Sequence, residues 1–133
     1  MPGRYASGTI MKRGQTWTLK PSAAETASTT HGAVETGDAG VLHVIVDCTA
    51  SAGTLPTLTV VVEGSNDGST WFELGTMGLN GYRAGTTATV PTNIVAAATS
   101  RGAFPAMQFC RTRSVIGGSA GQSLTYSIVA EAN

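Results

Sequence analysis

Three segments of the chain alternate between apolar and polar residues, and this pattern limits the possible folds more than any other feature. Polar residues such as His43, Glu63 and Thr125 stand between the apolar positions. The apolar positions are Leu42, Val44, Val46 and Cys48; Leu58, Val60 and Val62; and Leu124, Tyr126, Ile128 and Ala130. Successive side chains of a strand point to opposite faces, so a period of two predicts strands with one buried face. No segment carries a sustained helical stripe.

Segments rich in glycine, proline and asparagine interrupt the alternating runs at 37–40, 51–56, 65–69 and 117–121. This spacing is typical of an antiparallel β-sandwich, either jelly-roll or immunoglobulin-like, with about eight or nine strands. The predicted strands are 15–20, 32–35, 41–50, 57–64, 70–75, 86–90, 94–97, 108–115 and 123–130. We interpret 41–50 with 57–64, and 108–115 with 123–130, as two hairpins of equivalent design, one in each sheet.

The first 14 residues show no such period, and we predict an extended basic arm at 1–14 followed by one sandwich domain at 15–133. Half of the 8 basic residues precede the first acid, Glu25. They are Arg4, Lys12, Arg13 and Lys20. A free arm of this kind is normally disordered, so an ordered arm would have to be held by a partner. We expect the contacts with that partner to come from Arg4, Tyr5, Lys12 and Arg13.

Charge is scarce along the chain. The formal net charge is zero and only 12% of residues are charged, about half the usual share of a soluble domain. A surface of threonine, serine, glycine and alanine suits a protein packed against neighbours, although a partnerless neutral β-protein would look similar. The absence of a basic excess argues against nucleic-acid binding. No apolar run reaches the roughly 18 to 20 residues of a membrane span, and no signal-peptide core is present, so we expect synthesis in a cytoplasm.

The residue types that carry chemistry are scattered. His31 lies in a loop and His43 on a polar strand face, so we expect both to face solvent or an interface rather than share a metal. The two cysteines, Cys48 and Cys110, are expected to be buried thiols, with a bridge between them left open. No carboxylate pair, nucleophile motif or phosphate loop is present. The sequence predicts no enzyme, no cofactor and no small-molecule substrate.

The loop Ser65-Asn66-Asp67-Gly68-Ser69-Thr70-Trp71 is the most distinctive local feature. Its Asn-Asp-Gly core predicts a tight turn, and we expect Trp71 to cap the end of the hydrophobic core. The alternative is a sugar platform made by Trp71, Phe72 or Tyr82. A calcium site on Asp67 is disfavoured, since one carboxylate is too few.

Two stretches resemble a known family. The turn Gly53-Thr54-Leu55-Pro56-Thr57-Leu58 and the hairpin Ser65-Asn66-Asp67-Gly68-Ser69-Thr70-Trp71 are similar to those of small β-sandwich virion structural proteins of tailed phages. The late run Cys110-Arg111-Thr112-Arg113-Ser114-Val115, followed by a glycine turn, is also similar. The resemblance covers residues from about 33 to 130. The hairpin alone also resembles a loop of discoidin-like sugar-binding sandwiches.

The resemblance implies a bacteriophage structural protein, made late in the host cytoplasm and located on the capsid surface of the virion. We favour a capsid decoration protein that binds the major capsid protein lattice as a homo-oligomer, with a trimer favoured. Arg4, Lys12 and Arg13 would pair with acidic capsid residues. Arg111 and Arg113 would support a lateral contact or form an ordinary solvated strand face. The alternatives are a head–tail connector, tail-tube or tail-terminator component, or a carbohydrate-binding module.

Overall fold

The computed structural model describes residues 14–37, 39–52, 56–78, 88–89, 98–117 and 121–132. These residues form nine strands and include no helix that could cross a membrane. The strands are β1 (Thr16–Glu25), β2 (Val34–Glu35), β3 (Val41–Ala52), β4 (Thr57–Ser65), β5 (Phe72–Gly78), β6 (Ala88–Thr89), β7 (Ala98–Pro105), β8 (Phe109–Gly117) and β9 (Ser123–Ala132).

The strands make two antiparallel sheets. The first has the order β1-β9-β3-β7, and the second has the order β2-β8-β4-β5 with β6 beside β4. Along the chain, β1, β3, β7 and β9 fall in the first sheet, while β2, β4, β5 and β8 fall in the second. Apart from the two-residue strand β6, eight strands divide equally between the two sheets, and eight strands that cross between sheets in this order form a jelly roll. An immunoglobulin-like sandwich would keep its first two strands together in one sheet.

The core lies between the sheets, and the alternating runs supply it as predicted. Leu42, Val44 and Val46 of β3 are fully buried, as are Leu58 and Val62 of β4. On β9 the buried positions are Leu124, Tyr126, Ile128 and Ala130. Burial of these apolar side chains is the main favourable contribution to folding.

The prediction of two hairpins is wrong. Strand β3 pairs with β9 and β7, whereas β4 pairs with β8 and β5. The chain therefore crosses from one sheet to the other at both predicted hairpins, between β3 and β4 and between β8 and β9. Alternation fixes which face of a strand is buried but carries no information about its neighbour. A connection of a few residues can cross the roughly 10 Å between sheets as well as fold back.

Two strands differ from the predicted bounds for physical reasons. Strand β1 continues through Pro21 to Glu25, with register shifts on both sides of Lys20. Proline is tolerated there because β1 is an edge strand and the ladder is irregular. Strand β7 was not predicted, because its sequence lacks the alternation of β-branched residues. The predicted strand at 94–97 lies outside the described residues, and of the one at 86–90 only Ala88–Thr89 is described.

The predicted arm lies almost wholly outside the described residues, and Arg4, Tyr5, Lys12 and Arg13 are among the residues not described. The first described residue, Gly14, donates its backbone N–H to the carbonyl oxygen of Ala132 at 2.9 Å. Gly14, the last residue of the predicted arm, therefore lies beside the last residues of β9.

Candidate interaction face and buried polar cluster

Three side chains of β8 project from the outer surface of the second sheet. Arg111, Arg113 and Val115 alternate with the buried residues Cys110, Thr112 and Ser114. The register places Glu63 of β4 opposite Arg111. One oxygen of the Glu63 carboxylate accepts from Nε of Arg111 at 2.8 Å, and the other accepts from Nε of Arg113 at 3.1 Å. A single carboxylate thus holds two guanidinium groups, which leaves this triad with a net positive charge.

A second carboxylate is near but weakly engaged. Glu73 of β5 lies 3.9 Å from Nη2 of Arg113, and its side chain is 55% exposed. Exposed pairs at this distance contribute little to stability. Together with Trp71, described next, these residues define what we call the arginine face: Glu63, Trp71, Glu73, Arg111, Arg113 and Val115.

Trp71 stacks against the guanidinium group of Arg111, which lies 4.2 Å from the centroid of the indole. The prediction that Trp71 caps the hydrophobic core is therefore wrong, because the ring lies on the outer surface, half-buried beside a charged side chain. Its register neighbours explain this, since Glu63 pairs with Glu73 and both share the outward parity of Trp71. Phe72 has the opposite parity and pairs with Gly64.

The turn before Trp71 is built as predicted. Asp67 accepts hydrogen bonds from the backbone N–H groups of Thr70 and Ser69, both at 2.8 Å, and from the hydroxyl of Ser65 at 3.0 Å. These donors lower the pKa of Asp67 to about 2. Gly68 has a φ of 77°, a left-handed angle that glycine adopts without a steric penalty. The turn therefore fixes the start of β5 and the position of Trp71.

We expect replacement of Glu63 by alanine to lower the free energy of unfolding by about 1 kcal/mol, and by more at low salt than at high salt. The reason is that two guanidinium groups would face each other without the carboxylate between them. Denaturant unfolding at the two salt concentrations measures the effect. The Glu63→Gln variant keeps the shape and separates charge from packing. A loss that does not depend on salt would contradict this electrostatic explanation.

A second group of polar side chains is enclosed between β1, β9, β8 and the segment that joins β1 to β2. We call it the polar cluster, and its members are Lys20, Glu25, His31, Thr112, Ser114 and Tyr126. Glu25 is its hub. One of its oxygens accepts from the hydroxyls of Tyr126 and Ser114, and the other lies 3.0 Å from Nε2 of His31. Buried polar groups are stable only when they are paired in this way.

The side chain of His31 is only 6% exposed, although the residue as a whole is half-buried. The prediction that it faces solvent or an interface is wrong. Its ring lies between Glu25 and the hydroxyl of Thr112, which is 2.8 Å from Nδ1, and its backbone N–H donates to the Thr112 carbonyl. His43 is half-buried on the other sheet, as predicted for the outward parity of β3. The described residues contain no group of three or more side chains that could hold a metal ion.

Lys20 is the unusual member, because its side chain is buried although lysine seldom is. Its ammonium group donates to the carbonyl oxygens of Tyr126, Ala23 and Pro21 at 2.7, 2.8 and 3.1 Å. It also lies 4.1 Å from the centroid of the Tyr126 ring. Burial lowers the pKa of Lys20, and the charge of Glu25 opposes that effect. Burial, followed by the hydrogen bond to Glu25, raises the pKa of Tyr126.

The chain Thr112–His31–Glu25 has the residue types of a hydroxyl nucleophile, a base and an orienting carboxylate. Thr112 is fully buried, however, so its hydroxyl cannot meet a substrate in this conformation. The contacts among Thr112, His31 and Glu25 therefore fit a structural role. Sequence reasoning missed the cluster, but one signal was available: Thr112 and Ser114 share the inward parity of Cys110, and buried hydroxyls require partners.

Both cysteines are free and buried on inward strand faces. Burial raises the pKa of Cys110 to about 12 and also raises that of Cys48. We expect a thiol reagent such as Ellman's reagent to react with neither cysteine in the folded protein and with both in denaturant, since the thiolate is the reactive form. Rapid reaction of one thiol under native conditions would show that the sandwich opens locally.

No protein family and no curated protein matches this sequence. Several solved structures are similar to it, and the chain spans about a third of the length of each of the three described here. The structure of infectious bursal disease virus strain Gx gives 14% identity and a TM-score of 0.48, over 89% of this chain and 31% of that one. Strain Gt gives 18% identity and a TM-score of 0.36, over 98% and 36%. A mutant VP2 protein of the virus, in derived T=1 particles, gives 15% identity and a TM-score of 0.37, over 98% and 34%.

Proposed function

We propose that this chain is a virion structural protein of a tailed phage that decorates the capsid by binding the major capsid protein lattice. The observation that carries the proposal is the jelly roll, an architecture used by viral capsid domains. Folds host many functions, so the strand order alone does not specify this one. The resemblance of the turn at 53–58 and the hairpin at 65–71 to phage sandwich proteins supports it independently.

The sparse charge also supports a life in contact with other protein copies. Only 12% of residues are charged, whereas a free domain of this size usually carries more. On the arginine face the charges largely neutralise one another, and Val115 is 43% exposed beside them. Surfaces that join neutralised charges to apolar side chains are typical of protein interfaces.

We further propose that the chain is not an enzyme. The Thr112 hydroxyl, which adjoins His31, and the thiols of Cys48 and Cys110 lie inside the sandwich, where these residues are 1% exposed or less. The mechanism we envisage is stabilisation by mass action. A protein that binds the assembled shell but not its separate subunits favours the assembled state.

Particles purified from cells that carry the gene provide the test. Quantitative densitometry should find hundreds of copies in each particle, and cryo-electron microscopy should place them on the shell surface, in clusters that give the oligomeric state. A few copies at the neck or along the tail would favour the head–tail or tail alternative. Absence from purified particles would overturn the virion role.

The carbohydrate-binding alternative has a separate test. One face of the Trp71 ring is already covered by Arg111, which leaves less of it for a sugar. We therefore expect no binding on a glycan array. Saturable binding of one glycan class that is lost in a Trp71→Ala variant would favour this alternative over the shell.

A further inference from the structure

We propose that the arginine face binds a carboxylate-bearing extended segment of the partner protein, with Arg111 as its central contact. The inference rests on the proposed function only for the identity of that partner. The binding chemistry follows from the geometry of Glu63, Trp71, Arg111 and Arg113.

Arg111 is fixed in place before any partner arrives. Its Nε atom is 2.8 Å from Glu63, and its guanidinium plane lies over the Trp71 ring. Glu63 is itself only 12% exposed. Fixing a long side chain in advance lowers the entropic cost of binding, and arginine and tryptophan are the residue types most often found at interface hot spots.

The Nη ends of the two guanidinium groups, rather than the net charge of the face, select an anionic partner. Both arginines hold Glu63 through Nε, and Nη2 of Arg113 approaches Glu73 only to 3.9 Å. The Nη ends of Arg111 and Arg113 can therefore each donate hydrogen bonds to a further carboxylate. Guanidinium groups bind carboxylates with defined two-point geometry, which an ammonium group cannot do.

The spacing of the two arginines suggests the form of the partner segment. Arg111 and Arg113 are two residues apart on β8, so they project from the same face, and their Cα atoms are about 6.5 to 7 Å apart. Carboxylates at every second position of an extended segment have the same separation. Val115 continues the row with an exposed apolar side chain. An acidic strand or extended peptide that carries an apolar residue beyond its carboxylates fits this surface.

Glu73 gives the proposal a prediction of unusual sign. Its carboxylate lies loosely against Arg113 and is more than half exposed, so it occupies the place that the partner's carboxylate would take. Removal of Glu73 should tighten binding, whereas removal of either arginine should weaken it. If these residues acted only through folding, removal of Glu73 and removal of an arginine would not change the binding affinity in opposite directions.

The probe is a synthetic peptide with the pattern Asp-Ser-Asp-Ser-Val, whose two aspartates and valine share one face when the peptide is extended. It is added to the labelled full-length protein and followed by NMR. We expect saturable shifts of the Trp71 indole N–H and the Arg111 and Arg113 Nε–H signals. Arg111→Ala should weaken the peptide affinity by about tenfold or more, Arg113→Ala by about threefold to tenfold, and Glu73→Ala should strengthen it by about two- to threefold. Arg101→Ala, an exposed arginine on the opposite sheet, is the matched control and should stay within about twofold.

Three results would overturn the proposal. The first is an absence of shifts beyond those caused by sodium chloride of equal ionic strength. The second is an equal loss of peptide affinity in the Arg111→Ala and Arg101→Ala variants. The third is self-association of the wild type that Arg111→Ala abolishes. The last would make a second copy of this chain the occupant. The peptide experiment does not depend on any particle, so the proposed function can fail while this inference stands. If particles retained the Arg111→Ala protein at full occupancy, the proposed function would stand, and the arginine face would not be its contact with the shell.

Discussion

Replacement of Glu25 by alanine is expected to lower the free energy of unfolding by about 3–5 kcal/mol, because each buried hydrogen-bonding group left without its partner costs about 1–3 kcal/mol. The variant would leave the Tyr126 hydroxyl, the Ser114 hydroxyl and the His31 ring without their shared acceptor. It would also leave the buried ammonium group of Lys20 without the nearby carboxylate that favours its charge. Urea unfolding at neutral pH, monitored by tryptophan fluorescence and by circular dichroism, measures the loss.

Two variants separate the causes of that loss. Glu25→Gln keeps an acceptor oxygen and the side-chain volume but removes the charge, so we expect an intermediate effect of about 2 kcal/mol. Glu131→Ala, an exposed carboxylate on β9, is the matched control and should change stability by less than about 0.5 kcal/mol. If Glu25→Ala were no more destabilising than Glu131→Ala, the polar cluster would not be holding β1 to β8 and β9.

The polar cluster explains how the segment between β1 and β2 is fixed without large apolar side chains. Ser114 donates its backbone N–H to the carbonyl of Thr29 at 2.8 Å, and Ile116 donates to the hydroxyl of Ser28 at 2.9 Å. His31 then joins this segment to the interior through Glu25. The segment completes the edge of the second sheet beside β8, where an unpaired strand edge would invite association with other chains.

The faces of the central strands could be predicted from the sequence, because inward and outward residues differ in polarity along β3, β4 and β9. The partners of those strands could not, since the same alternation serves a hairpin and a connection between sheets. Strand β7 shows a further limit. Its residues have little intrinsic preference for a strand, and they adopt one because eight of them pair with β3 from Val41 to Cys48.

The candidate site follows the same division. The outward parity of Arg111 and Arg113 was predictable, because Cys110 was expected to be buried and successive side chains of a strand point to opposite faces. Their sharing of Glu63 was not, because it depends on the pairing of β4 with β8. The position of Trp71 depends on the register shift between β4 and β5 at Val62 and Glu63, a feature that carries no signal in the sequence. Contacts between distant strands therefore had to come from the structure.

The second large effect is expected at Phe104, which joins the sides of the two sheets. Phe104 lies on β7 of the first sheet and is 3% exposed. Its ring fills the space beside Gly75 of β5 in the second sheet, so that a Cβ atom at Gly75 would lie 2.6 Å from the ring carbon Cε1. Phe104→Ala should therefore cost about 3–5 kcal/mol, as truncation of a buried aromatic residue usually does. Phe72→Ala, at a phenylalanine that is 54% exposed, is the matched control and should cost less than about 1 kcal/mol.

A double-mutant cycle tests whether this contact is specific. Gly75→Ala alone should cost about 1–3 kcal/mol, because the added methyl group overlaps the Phe104 ring in a packed interior. In the Phe104→Ala background the same methyl group meets open space, and alanine restricts the unfolded backbone more than glycine does, so the substitution should be neutral or slightly stabilising. The two substitutions should thus be coupled by about 1–3 kcal/mol, measured by denaturant unfolding of all four proteins. Additive losses would mean that Phe104 and Gly75 stabilise the sandwich independently, and that β5 and β7 are held together elsewhere.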